Sequence, residues 1–157
     1  MAGDSGSAGN AGRPPAMAWE HFEHGADVGI RGRGKTPADA FGEAARALFS
    51  LLSDDLTAIR LSVDERVACE AENLEELLVA FLNELLFLFD TRRVVFARFD
   101  VQIDESPGRF LLTAIAQGEP FDPNRHEFTV LPKGATFTAL KVGEHDGEWV
   151  AQCVVDV

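Results

Sequence analysis

The stretch Asn73–Asp90, N-L-E-E-L-L-V-A-F-L-N-E-L-L-F-L-F-D, decides the fold. Asn73 is a good helix N-cap, and Glu76 follows three residues on, the signature of a helix start. Leu74, Leu77, Leu78, Phe81, Leu82, Leu85, Leu88 and Phe89 then recur at three- and four-residue spacing. They cover well over a third of a helix circumference, and Leu86 and Phe87 widen the apolar surface further. A helix with so little polar face belongs at the centre of a core. Asn83 and Glu84 form its polar gap, which reads as a solvated face.

Upstream, Thr36 is an N-cap, Pro37 stands at N1 where its missing N–H costs nothing, and Asp39 at N3 can complete a capping box. Ala38, Phe41, Ala45, Leu48 and Leu52 then form an apolar stripe, widened by Ala44 and Leu51, with Glu43 and Arg46 off it. Ser53-Asp54-Asp55 ends this helix. Everything around the two helices alternates in strand fashion. Trp19 to His24 reads as an edge strand, Gly25-Ala26 as a turn, and Val28 to Arg33 as a second strand. Ile59 to Ala71 is a third. Val94 to Ile103 and Phe110 to Ala116 form a hairpin across Glu105-Ser106-Pro107-Gly108. His126 to Leu131 reads as a short strand, and Thr136 to Val142 and Trp149 to Val157 flank the Asp146-Gly147 turn. Strands, helix, strand, helix, then strands: this segregation predicts an α+β fold, two helices packed on a mostly antiparallel sheet in a single domain.

The chain has 157 residues and a formal net charge of −12. That balance argues against binding RNA or DNA over its surface, because affinity for phosphates comes from Lys and Arg. It suits a soluble protein that meets a cation or a basic partner. Cys69 and Cys153 lack metal-ligand spacing and read as small reduced core side chains of a cytoplasmic protein. No run reaches the ~20 apolar residues of a membrane span. Residues 1–16 hold Gly, Ala, Ser and Pro with no large apolar side chain, and read as a disordered tail before a domain at 17–157; Met17 is an alternative start.

Two carboxylates stand out as candidates for chemistry. Asp27 lies at the mouth of a strand, in His21–Lys35, H-F-E-H-G-A-D-V-G-I-R-G-R-G-K, and Asp156 lies in the last run, Val154-Val155-Asp156-Val157. If the sheet brings them together, the main-chain carboxylate of Val157 is close as well. Three hard oxygen donors suit calcium or magnesium. The plainer alternative keeps Asp27 as a turn residue and Asp156 as a solvated side chain. His21 and His24, three apart on a strand, point to opposite faces, and without a nearby Cys they do not make a structural zinc site. His126 and His145 read as exposed histidines at loop edges. Gly29, Gly32 and Gly34 are not in dinucleotide-binding order and point instead to close backbone approach or a bulge. No G-x-S-x-G elbow or P-loop is present.

H-G-A-D-V-G-I-R-G-R-G-K-T, the helix A-D-A-F-G-E-A-A-R-A-L-F-S-L-L-S-D, the segment L-L-V-A-F-L-N-E-L-L-F-L-F-D and the terminal V-V-D-V together resemble the archease family, from about Trp19 to Val157. Gly25 stands where that family has threonine. Its V-K-A-x-T-Y-H segment is Pro132–Thr138 here, with Lys133 kept and the tyrosine and histidine replaced by Phe137 and Thr138. The resemblance implies a protein cofactor of the RtcB-type RNA ligase of tRNA splicing and RNA repair. Such a cofactor promotes GTP-dependent guanylylation of the ligase and its multiple turnover, and is not itself an enzyme. It further implies a divalent cation, calcium first and magnesium or manganese next, on Asp27, Asp156 and Val157, with Lys133 engaging the ligase. No membrane and no direct nucleic-acid contact are expected. A chaperone-like modulator of nucleic-acid enzymes is one rival. A small metal-dependent hydrolase is another, but it would need a general base and a substrate pocket that the sequence does not point to.

Overall fold

The computed structural model of the chain describes residues 18–157; the segment read as a tail, 1–16, and Met17 lie outside the described residues. In chain order come β1 (Trp19–His24), β2 (Asp27–Gly34), α1 (Pro37–Phe49), a 3-10 turn (Leu56–Ala58), β3 (Val63–Ala71), α2 (Leu74–Arg92), β4 (Val94–Ser106), β5 (Arg109–Pro120), β6 (Gly134–Ala135), β7 (Lys141–His145) and β8 (Glu148–Asp156). Both helices begin where the capping residues say. Thr36 Oγ1 accepts from the Asp39 amide at 3.1 Å, and Asn73 Oδ1 from the Glu76 amide at 2.8 Å, each satisfying one orphan donor of a first turn. α2 ends at Arg93, whose backbone turns left-handed at φ 54° while its N–H still bonds Phe89 O at 2.8 Å.

The α+β class is as expected, but the strands divide between two antiparallel sheets instead of one. The first has the order β1-β2-β8-β6, with β7 also on β8; the second has the order β3-β5-β4. Both helices touch both sheets, so a single core is shared. Phe41 and Phe81 bring the helices together, their rings 6.3 Å apart, and Phe49 meets Phe96 of β4 edge-on at 5.4 Å. α1 can lie so close to β2 because Gly32 has no side chain. A Cβ there would overlap the main chain of Ala40 and Ala44. Gly34 makes the same close approach to Asp39 and Ala40, while Gly29 faces the Phe22 ring; of close backbone approach and a bulge, the two readings of the spacing, Gly32 and Gly34 take the first.

Several boundaries shift. α1 stops at Phe49 with Ser50 as its cap, short of Ser53. β3 starts at Val63 and not at Ile59: the chain leaves the 3-10 turn, capped by Asp55 Oδ1 accepting from Thr57 N–H at 3.0 Å, and runs as a loop over residues 59–62. Residues 126–131 form no strand; single main-chain bonds, from the Thr129 N–H to Leu51 O at 2.9 Å and from the His126 N–H to Asp122 O at 2.8 Å, and the His126 side chain hold them instead of a ladder. Within 136–142, Thr136 and Thr138 bond the main chain of Val154, but Ala139 turns to φ 53° and breaks the run, so regular pairing starts at Lys141.

Candidate functional site

Gly25, at φ 60°, makes the turn between β1 and β2, and β2 opens on Asp27. β2 and β8 are antiparallel neighbours whose outermost registered pair is Val28 with Val155. The next positions out on the two strands are Asp27 and Asp156. Asp27 Oδ1 accepts the Val157 N–H at 3.3 Å across 130 residues of sequence. Asp156 is exposed and registers with Gly134 of β6, while its carbonyl accepts the Lys133 N–H at 2.8 Å. The fold therefore gathers Asp27, Asp156, Val157 and the main chain of Lys133 at one end of the first sheet.

The chemistry of this end is that of hard oxygen. Among the described residues, no three His, Cys, Asp or Glu side chains are grouped to hold a metal ion. A cation here would rest on the carboxylates of Asp27 and Asp156 and the main-chain carboxylate of Val157, which suits an oxygen-seeking divalent ion. His24 registers opposite Asp27 but is exposed. His21 is engaged elsewhere. Its Nε2 lies 2.9 Å from Ala47 O and 2.8 Å from Ser50 Oγ, tying β1 to the end of α1. On the same sheet Arg31 and Arg33 are taken up by Glu20, with Arg31 Nε also bonded to Gln152 Oε1 at 2.8 Å. These cations are not free for phosphates.

Asn83 is a correction. It was read as part of a solvated face, yet its side chain grips the main chain of Ala135 twice. Nδ2 donates to Ala135 O at 3.2 Å, and Oδ1 accepts from Ala135 N–H at 2.8 Å. The amide imitates a neighbouring strand. It pins β6 against α2, and β6 in turn holds Lys133 beside the end of β8. An Asn alone among apolar residues was the only trace of this in the sequence.

His126 is the second correction. Expected at an exposed edge, it is 2% exposed. Its Nδ1 accepts the Asp122 N–H at 2.9 Å, which places the ring proton on Nε2, donated to Glu119 Oε2 at 2.8 Å. Arg125 Nη1 reaches the other oxygen of Glu119 at 2.7 Å. Burial pulls the Glu119 carboxyl up, but the hydrogen bonds from His126 and Arg125 and the Arg125 charge outweigh it, and the group stays below its ordinary value. This clasp closes the loop after β5; Phe121 stacks on the His126 ring at 5.7 Å. Both cysteines are free, and burial pushes Cys69 up to about 11 and Cys153 up to about 12. At neutral pH neither is a thiolate, the nucleophilic form.

A small α+β protein with two helices over antiparallel sheets, and an acidic strand end held by its last residue, is the class that fold and site define. A model of the archease protein family (MTH1598/TM1083) matches residues 19–157. The protein archease of Pyrococcus furiosus is 42% identical over 140 residues, 88% of this chain and 98% of that one. The protein archease of Methanopyrus kandleri is 38% identical over 141 residues, 90% of this chain and 100% of that one. The chain belongs to the archease family. The solution structure of Methanobacterium thermoautotrophicum protein 1598 superposes with a TM-score of 0.80 at 31% identity, over 90% of this chain and all of that one. The crystal structure of a Thermotoga maritima archease, described as a possible chaperone, shares the fold with a TM-score of 0.53 at 16% identity, over 87% of this chain and 94% of that one.

Proposed function

We propose that the chain is the activating protein cofactor of an RtcB-type RNA ligase, promoting GTP-dependent guanylylation of the ligase and repeated turnover in tRNA splicing and RNA repair. In this reading it is not a catalyst itself. It works in the cytoplasm, with Asp27, Asp156 and Val157 holding a divalent cation and Lys133 meeting the ligase. Membership of the archease family supports it, and one observation carries it: the Asp27 bond to the Val157 main chain. That bond gives a purpose to two acids which, as isolated surface residues, would need none. A divalent cation bound there would supply concentrated positive charge at the surface of an acidic protein. The chain's own part is to aim the two carboxylates. β2 and β8 fix their positions, and the Lys133–Asp156 main-chain bond keeps the strand end from fraying. The saturated arginines of the first sheet agree with a partner that is a protein and not the RNA. Among the described residues no helix is long and apolar enough to cross a membrane.

The test is ligase guanylylation and multiple-turnover joining with wild type, Asp27→Ala or Asp156→Ala added. Stimulation by wild type is expected, with a loss in either variant of at least the roughly 10- to 100-fold that removing even an outer-shell partner of a metal costs. Stimulation that survives both substitutions would keep the cofactor role and refute the metal site. No stimulation of a cognate ligase would refute the role.

A further inference from the structure

Phe137, Phe87 and Leu131 are the most exposed large apolar side chains among the described residues, at 65%, 57% and 51%. They share one strip. Phe87 and Leu131 line a cavity of about 430 Å³ with Asp90, Arg93 and Lys133. Phe137 lines a second, of about 640 Å³, with Glu72, Glu76 and Ala80. α2 connects the two, because Glu76, Ala80, Asn83 and Phe87 are three or four residues apart and stand on one helical stripe. The double bond from Asn83 to Ala135 lays the chain between Leu131 and Phe137 along that stripe. Exposed apolar side chains that are contiguous, and not scattered, mark a surface that another molecule covers.

The charges on the strip say what kind of molecule. Glu72, Glu76 and Asp90 have no ion-pair partner among the described residues, and neither do Lys133 and Arg93, the latter lying over the Phe89 ring. The three acids outnumber the two bases, and the whole chain carries −12. Two copies that each carry −12 repel one another as they approach, so an unlike, basic protein is favoured. We propose that this strip is the docking face for a partner protein that seats an apolar anchor against Phe87 and Leu131. The partner presents Lys or Arg to Glu72, Glu76 and Asp90, and one carboxylate to Lys133. Since the Lys133 N–H bonds the Asp156 carbonyl at 2.8 Å, a partner seated here lies against the acidic strand end. The inference rests on the cofactor reading, in which the partner is the ligase.

The experiment measures ligase binding and ligase stimulation separately, for wild type, for Asp27→Ala, and for the double variant Phe87→Ser, Phe137→Ser. Because both phenylalanines are exposed, the double variant should melt like wild type. It is expected to bind the ligase at least about tenfold more weakly, as removal of interface anchors does. Wild-type binding should also weaken as salt is raised. Asp27→Ala should still bind and fail to stimulate. A double variant that binds as well as wild type would overturn the docking face and leave the cofactor role standing. A ligase that neither binds nor responds to wild type would overturn the role and the strip's occupant with it. Wild type sedimenting as a dimer that the double variant abolishes would give the strip to a second copy and overturn the proposal.

Discussion

One oxygen of Asp27 and the amide of Val157 join the two ends of the fold, and at this scale the chain also stores its acid sensitivity. Glu119 is 4% exposed and carries its charge between His126 and Arg125. Its folded value is depressed below the ordinary 4.5, so its contribution to stability is complete well above that value. It is lost as pH falls from 4.5 through the folded value. Glu119→Gln should cost about 1–3 kcal/mol near pH 7, the range for a buried hydrogen-bonding group left ill-matched. The deficit against wild type should shrink as urea midpoints are followed from pH 6 down to about pH 3. A deficit that stays constant over that range would show that Glu119 is not held charged. None of this was legible in the sequence. Glu119 and His126 are seven residues apart in a polar stretch, and only the closure of the loop turns them inward. Asp27 and Asp156 were legible as types at strand ends, but their proximity was not, because it depends on which strands pair.

At the scale of elements, caps and periodicity did most of the prediction. Thr36, Pro37, Asn73 and the apolar stripes placed both helices because each signal is local and acts within a turn or two. Strands 126–131 and 136–142 failed for the opposite reason. Their alternation was real, but pairing requires a partner edge, and β8 offers its free edge first to Gly134–Ala135 and then to Lys141–His145. The contact between α1 and β2 makes a sharp prediction. Gly32→Ala puts a methyl group into the main chain of Ala40 and Ala44, which no rotamer change relieves. It should destabilise by about 2–4 kcal/mol, comparable to severe overpacking, and thermal melting would show it. The same substitution at Gly143, where a Cβ meets nothing within 4 Å, should cost little. Similar losses at both sites would mean that helix-on-sheet contact is not what Gly32 provides.

For the whole molecule, two sheets around one pair of helices mean two kinds of assembly. In the second sheet β4 and β5 are joined by a short turn, and β3 and β5 are separated only by α2 and β4. The first joins β2 to β8 across most of the chain. Loop closure makes the first the slower to form. In pulsed hydrogen exchange during refolding, amides of β4 and β5 should gain protection before those of β2 and β8. Simultaneous protection would indicate one concerted step. The −12 charge acts at this scale too, as a long-range repulsion between copies of the chain.

The central place of β8, between β2 on one edge and β6 and β7 on the other, gives the order of synthesis a meaning. On a ribosome this strand emerges after the three strands it pairs with, so until then β2, β6 and β7 have a gap where their common partner belongs. A chain cut short before β8 would lose Ala151, Cys153 and Val155 from the shared core, and it would have neither Asp156 nor the neighbour that Asp27 reaches for. Whatever the acidic end does is therefore available only from a molecule that has been read through β8.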